Sequence, residues 1–130
     1  MIVYKSKKAQ VEWLEQENVV AKTFFDFIYG DDMKGAFNAG LNALIQHQSC
    51  KWLSDNRSLQ PYRKIDVTWI NEDWFPRMLK AGWKYWALVE PENALGQLSM
   101  TRFVDFNRQK GITLQIVHSV DDGLTWLNSL

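Results

Sequence analysis

Apolar and polar residues alternate with a period of two along the first part of the chain. "IVYK" (2–5) is a short strand, and "QVEWLEQ" (10–16) alternates, with Val11 and Trp13 on one face and Leu14 on the other. After a turn at Glu17 and Asn18, "VVAKTFFDFIY" (19–29) continues the pattern, with Ala21, Thr23, Phe25 and Phe27 sharing a face. Then the period changes. From Asp31, the residues Met33, Phe37, Leu41, Leu44 and Ile45 recur at helical steps and form one stripe. Asp31 and Asp32 stand where carboxylates favour the helix dipole and can cap free N–H groups. Gly35 and Gly40 weaken this helix intrinsically, so tertiary packing must hold it, and Gly40 permits a close helix–sheet contact.

"CKWLSD" (50–55) reads as a short strand that breaks into a polar loop. A second helix is expected over 68–81, with Ile70, Trp74 and Met78 on its core face. Pro76 lies inside it and removes a backbone donor, which predicts a kink, and Gly82 supplies a stop. Trp69 and Phe75 sit about 100° to the side of that face, so both are expected to be partly covered and to serve a homodimer or ligand surface. "WKYWALVE" (83–90) is apolar on both faces, as a central strand covered on two sides should be. Leu95, Leu98, Arg102, Phe103 and Phe106 follow at helical spacing, ending at Gly111. "ITLQIVHS" (112–119) is the last strand. The closing helix carries Ser119 and Asp122 at capping-box spacing, with Leu124, Leu127 and Leu130 facing inward.

This order predicts an α/β fold: a mixed β-sheet with antiparallel N-terminal strands and a β-α-β-α-β-α C-terminal part, formed by residues 1–130 as one domain. The strands "CKWLSD", "WKYWALVE" and "TLQIVHS" should be parallel neighbours.

Composition narrows the function classes. Fifteen basic residues balance fifteen acidic ones, so no global field favours nucleic acid or an anionic membrane. The single cysteine, Cys50, excludes an internal disulfide and points to a reducing compartment. The N-terminal stretch lacks a signal-peptide core, and no apolar run approaches the ~20 residues that span a bilayer. A cytoplasmic protein without stable membrane insertion is expected. Seven tryptophans are unusual, and their indole N–H groups need partners where they are buried.

Catalytic motifs are missing from the sequence. There is no nucleophile elbow, P-loop or dinucleotide fingerprint. His47 and Cys50 have an H-x-x-C spacing but no second ligand pair, so neither metal nor cofactor is expected. His47 more naturally ends the first helix. In open parallel sheets ligands bind beyond the carboxyl ends of the strands. Those ends gather Asp55, Asn56, Arg57, Glu90, Asn93, His118 and Ser119 as a candidate ligand or partner surface, although such residues also commonly cap turns and helices.

The chain resembles the SpoIIAA-like branch of the STAS superfamily, bacterial relatives of anti-sigma-factor antagonists. The likeness rests on "WLSDNR", "WINEDWFPRMLKAGWKYWALVEP", "FVDFNRQKGITLQIVHS" and "SVDDGLTWL". It covers most of the chain from about residue 50, and the N-terminal strands fit in order only. It implies a non-enzymatic regulatory or protein-interaction module, with a homodimer or another protein as partner. Some relatives are grouped with lipid-binding domains, which implies the alternative of a carrier for a small apolar molecule, its pocket beneath the kinked second helix. The phosphorylatable D-S-[ST]-G motif of the antagonists is absent. Asp55 is followed by Asn56, Arg57 and Ser58, so Ser58 is not expected to act as a phospho-switch.

Overall fold

In the computed structural model, residues 1–108 and 110–130 are described, without the side chains of 99, 103, 106 and 107. Six strands, β1 (Ile2–Lys5), β2 (Ala9–Leu14), β3 (Val19–Asp26), β4 (Lys51–Leu59), β5 (Tyr85–Val89) and β6 (Thr113–Val117), form one sheet in chain order. β1, β2 and β3 pair antiparallel. β3, β4, β5 and β6 pair parallel, so the three C-terminal strands are the parallel neighbours that the helical segments between them require.

The helices are α1 (Gly30–Gln46), α2 (Lys64–Trp69), a π turn (Ile70–Trp74), α3 (Phe75–Lys80), α4 (Ala94–Arg108) and α5 (Val120–Asn128). Each crossover advances the sheet by one strand in the same direction. Right-handed connections then place α1, α2–α3 and α4 on one face. Their buried residues join Trp13, Val20, Trp52 and Trp86 in one cluster. α5 covers the opposite face, where Leu127 packs with Leu53, Ala87, Val89 and Val117. β5 is therefore covered on both sides, as its apolar sequence requires.

Close approach of helix to sheet explains Gly40. A Cβ there would lie 2.6 Å from Cζ3 of Trp52, so α1 could not seat on β4 with a larger residue. Gly82 ends the second helical segment at φ 104°, and the N–H groups of Gly82 and Trp83 bond the Leu79 and Met78 carbonyls at 3.1 and 3.2 Å.

Several expectations are corrected. β4 does not break after Asp55 but continues to Leu59, with Asp55 and Asn56 buried. Polar residues hold a strand there because tertiary partners satisfy them, as described below. The second helix begins at Lys64, four residues before the expected 68. Beside Pro76 it forms a π turn, in which the Phe75 N–H bonds the Ile70 carbonyl. Such a turn takes up one extra residue, shifting the buried face by about 100°. Trp74 and Phe75 can then both point inward, and Phe75 is 0% exposed rather than marginal. It therefore cannot supply a dimer or ligand surface, whereas Trp69 is half-buried.

Ile45 and Leu130 are exposed, and Gly123 takes an inward position on α5 beside Leu127. In α4 the buried stripe is Gly96, Met100 and Val104, and Leu95 and Leu98 are exposed. A glycine adds nothing to an apolar pattern, so Leu95 and Leu98 suggested a different face for this part of the helix. Phe103 and Phe106 lie outside the described side chains.

Asp31 and Asp32 lie in the first turn of α1, where the dipole favours them, but the Tyr29 N-cap position has no side-chain cap bond. Asp32 accepts from the Tyr4 and Ser6 hydroxyls at 2.6 and 3.0 Å, and the helix N–H of Gly30 is bound instead by Asp66 of α2 at 3.1 Å.

Candidate functional site

The face of the sheet beneath α1 contains a lysine. Strand alternation puts Val20, Lys22 and Phe24 side by side on that face, and Lys22 is only 2% exposed. Its Nζ donates to Asn56 Oδ1 at 3.0 Å and lies 3.5 Å from the Tyr62 hydroxyl. The ammonium also sits 4.0 Å from the ring centroid of Phe24 and 5.3 Å from that of Phe37. Cation–π contacts of this kind soften the loss of water without replacing it. Burial accordingly pushes the Lys22 pKa down to about 7, opposed by the charge of Asp55. Near neutrality the free amine and the ammonium are therefore both well populated.

The surroundings are built around that amine. Asn56 holds its carbonyl toward Lys22 while its Nδ2 lies 3.8 Å from Met100 Sδ. Ser54 Oγ accepts from the indole N–H groups of Trp52 and Trp86 at 2.9 and 3.1 Å, and Trp74 Nε1 donates to the Phe37 carbonyl at 2.9 Å. Burial raises the pKa of the Tyr62 hydroxyl, which keeps it a neutral phenol. A void of about 10 Å³, water-sized, remains among these rings and Lys22. The space under Trp74 is thus filled by aromatic rings and does not form the roomy cavity expected beneath the second helix.

A larger pocket, about 340 Å³, lies beside it, between the start of α2 and α4. Leu59, Pro61, Val67 and Met100 form its apolar wall. Lys64 and Arg102 also line it, and among the described residues no acidic side chain does. Tyr62 and Met100 line both this pocket and the inner void, so they form the partition between them.

The residues at the strand ends make local contacts. Asp55 accepts from Arg57 Nη2 at 2.7 Å and from its Nε at 2.9 Å. This contact raises the Arg57 pKa. Glu90 Oε1 lies 3.1 Å from His118 Nδ1. Asn93 Oδ1 accepts from the Gly96 N–H at 2.6 Å, and Ser119 Oγ accepts from the Asp122 N–H at 3.0 Å, so each caps a helix. Asn56 leaves the group altogether, since alternation turns it to the opposite face toward Lys22. His47 follows the last residue of α1, its ring stacked on Trp13 at 4.1 Å.

Sequence reasoning missed Lys22, Tyr62, Met100, Lys64 and Arg102. For Lys22 a signal exists: a period-two strand cannot bury Val20 and Phe24 on one face without Lys22 between them. No family model matches this chain, and no curated protein or solved structure matches it either.

Proposed function

We propose that this chain is a cytoplasmic, non-enzymatic binding protein of SpoIIAA-like kinship that holds a small amphipathic anion in its outer pocket. The observation that carries the reading is the 340 Å³ pocket, apolar along one wall and lined, among the described residues, by Lys64 and Arg102 without a carboxylate. That size suits a small ligand, and the charge selects a carboxylate or phosphate over an amine. The kinship draws support from the element order of the sheet. A cytoplasmic location draws support from the single cysteine, and no helix among the described residues is long and apolar enough to cross a membrane.

Calorimetry with octanoate, octanol and octylamine tests the reading. Octanoate should bind most tightly, and Arg102→Gln should weaken it by about fivefold, or roughly 1 kcal/mol. Val67→Trp, which fills the pocket, should remove binding. Equal affinity for octanoate and octylamine would overturn the proposal.

A protein-interaction role is the second reading, favoured by three exposed aromatics at the end of β3. Phe25, Phe27 and Tyr29 are all exposed, and the Phe27 and Tyr29 rings lie 5.3 Å apart. Exposed apolar groups in one place commonly mark an interface. If they serve a homodimer, Phe27→Ser should abolish self-association in sedimentation. A wild-type chain that sediments as a monomer at all concentrations counts against that dimer.

A further inference from the structure

The structure assigns Lys22 as an amine that forms a reversible imine with a small aldehyde or ketone admitted through the outer pocket. This rests on the pocket reading for the route of entry but not on the anionic character of the ligand.

Three features of the geometry carry it. The first is the lack of a counter-ion. The Asp55 carboxylate is engaged by Arg57, and among the described residues the polar partners of Lys22 Nζ are Asn56 Oδ1 and the Tyr62 hydroxyl. An ammonium has three protons to place and no pairing anion here, so the enclosure suits the neutral amine. The second is reach. The water-sized void touches Lys22 and shares Tyr62 and Met100 with the outer pocket, so the two spaces meet at these side chains, of which Met100 is a flexible thioether. The third is chemical company. Asn56 fixes the amine by accepting one of its protons in a hydrogen bond, and the neutral hydroxyl of Tyr62 lies 3.5 Å from it. A desolvated lysine in an aromatic pocket is the usual form of an activated amine nucleophile.

The step balances without an oxidant or reductant. The Nζ lone pair attacks the carbonyl carbon, and the C=O π pair moves to oxygen, which takes up a proton. That proton comes from the amine nitrogen, and the resulting carbinolamine then loses its hydroxyl with the one remaining N–H hydrogen as water, leaving C=N. Hydrolysis reverses it. Around Lys22 the titratable groups are Asp55 on β4 and Tyr62 ahead of α2; α1 and α4 contribute Phe37 and Met100, which do not titrate.

The test treats the full chain with benzaldehyde and sodium cyanoborohydride from pH 6 to 9 and maps adducts by peptide mass spectrometry. Lys22 should be trapped about tenfold or more faster than exposed lysines such as Lys64, because at neutral pH an ordinary lysine is almost wholly protonated. Its rate should rise through about pH 7 and level off, whereas exposed lysines keep rising. Met100→Ala should speed the reaction, and Lys22→Arg should remove this adduct alone. Adducts confined to exposed lysines and the terminal amine, or at Lys22 only in denaturant, would overturn the inference. The wild-type peptide map decides even if Lys22→Arg does not fold. Octanoate binding without trapping at Lys22 overturns this inference alone, and trapping without octanoate binding overturns the anion reading alone.

Discussion

The two faces of the sheet bury apolar surface in different ways. Under α5 the core is aliphatic: Val19, Leu53, Ala87, Val89, Val117 and Leu127, all without polar side-chain atoms. Under α1, α2–α3 and α4 it is aromatic, with Trp52, Trp74, Trp83 and Trp86 at ring-centroid separations of 5.2–6.3 Å. Each indole brings an N–H that must find an acceptor, so that face has to import polar groups such as Ser54 Oγ. A lysine hydrogen-bonded to neutral groups and a void sit on the aromatic face, whereas Asp55, the buried charge on the other, is paired with Arg57. Function is proposed where burial was hardest to complete.

The largest expected effect comes from emptying the aromatic face. Trp74 packs against Phe37 with centroids 4.5 Å apart and against Trp52 at 5.2 Å, and also bonds the Phe37 carbonyl. Trp74→Ala should cost about 3–5 kcal/mol in denaturant unfolding. On the aliphatic face Leu127→Ala should cost about 2–3 kcal/mol, toward the lower end for a leucine, because α5 is short and can settle. If Leu127→Ala costs more than Trp74→Ala, the contrast between the faces is wrong.

That contrast was only half legible in the sequence. Strand and helix periods and the stop at Gly82 come from local patterns, which is why the mixed sheet and its parallel half could be read. The second half of β4 could not. Ser54, Asp55, Asn56 and Arg57 resemble a loop, and only the fold supplies the indoles, the ion pair and the lysine that satisfy them. The π turn has one local hint, Pro76, which reads equally well as a kink. That ambiguity misplaced Phe75. At the site, Lys22 was legible from strand alternation, but its hydrogen-bond partners Asn56 and Tyr62 lie 34 and 40 residues away and leave no local trace.

A smaller effect tests the lysine itself. Its pKa falls from 10.5 in the open chain to about 7 in the folded protein. Between those values the unfolded chain holds a proton that the folded chain has released, so wild-type stability should rise as pH increases from about 7 to 10. Below that window the cost of burying the amine is fully present. Lys22→Met should therefore be more stable than wild type by about 1–3 kcal/mol at pH 6, reduced somewhat by the Asn56 oxygen left without its donor. The advantage should shrink steadily toward pH 10. Urea titrations across that range check it, and a pH-independent difference would mean that Lys22 is not desolvated as the structure places it.

The smallest effects separate capping from binding at the strand ends, where the aliphatic face meets solvent. Ser119 Oγ accepts the Asp122 N–H at the start of α5, so Ser119→Ala leaves a helix donor without its partner and should cost about 1 kcal/mol. His118 is its neighbour in sequence but not in role. Its side chain is 86% exposed and its contact with Glu90 is open to water, where such pairs contribute little. His118→Ala should therefore change stability by less than about 0.5 kcal/mol. Thermal melts of the two variants, side by side, read the difference directly. A comparable loss in both would mean that the Glu90–His118 contact holds β5 to β6 more firmly than its exposure allows. It would also restore the strand ends as a site worth probing with ligands, since a pair that stable would already be positioned to meet one.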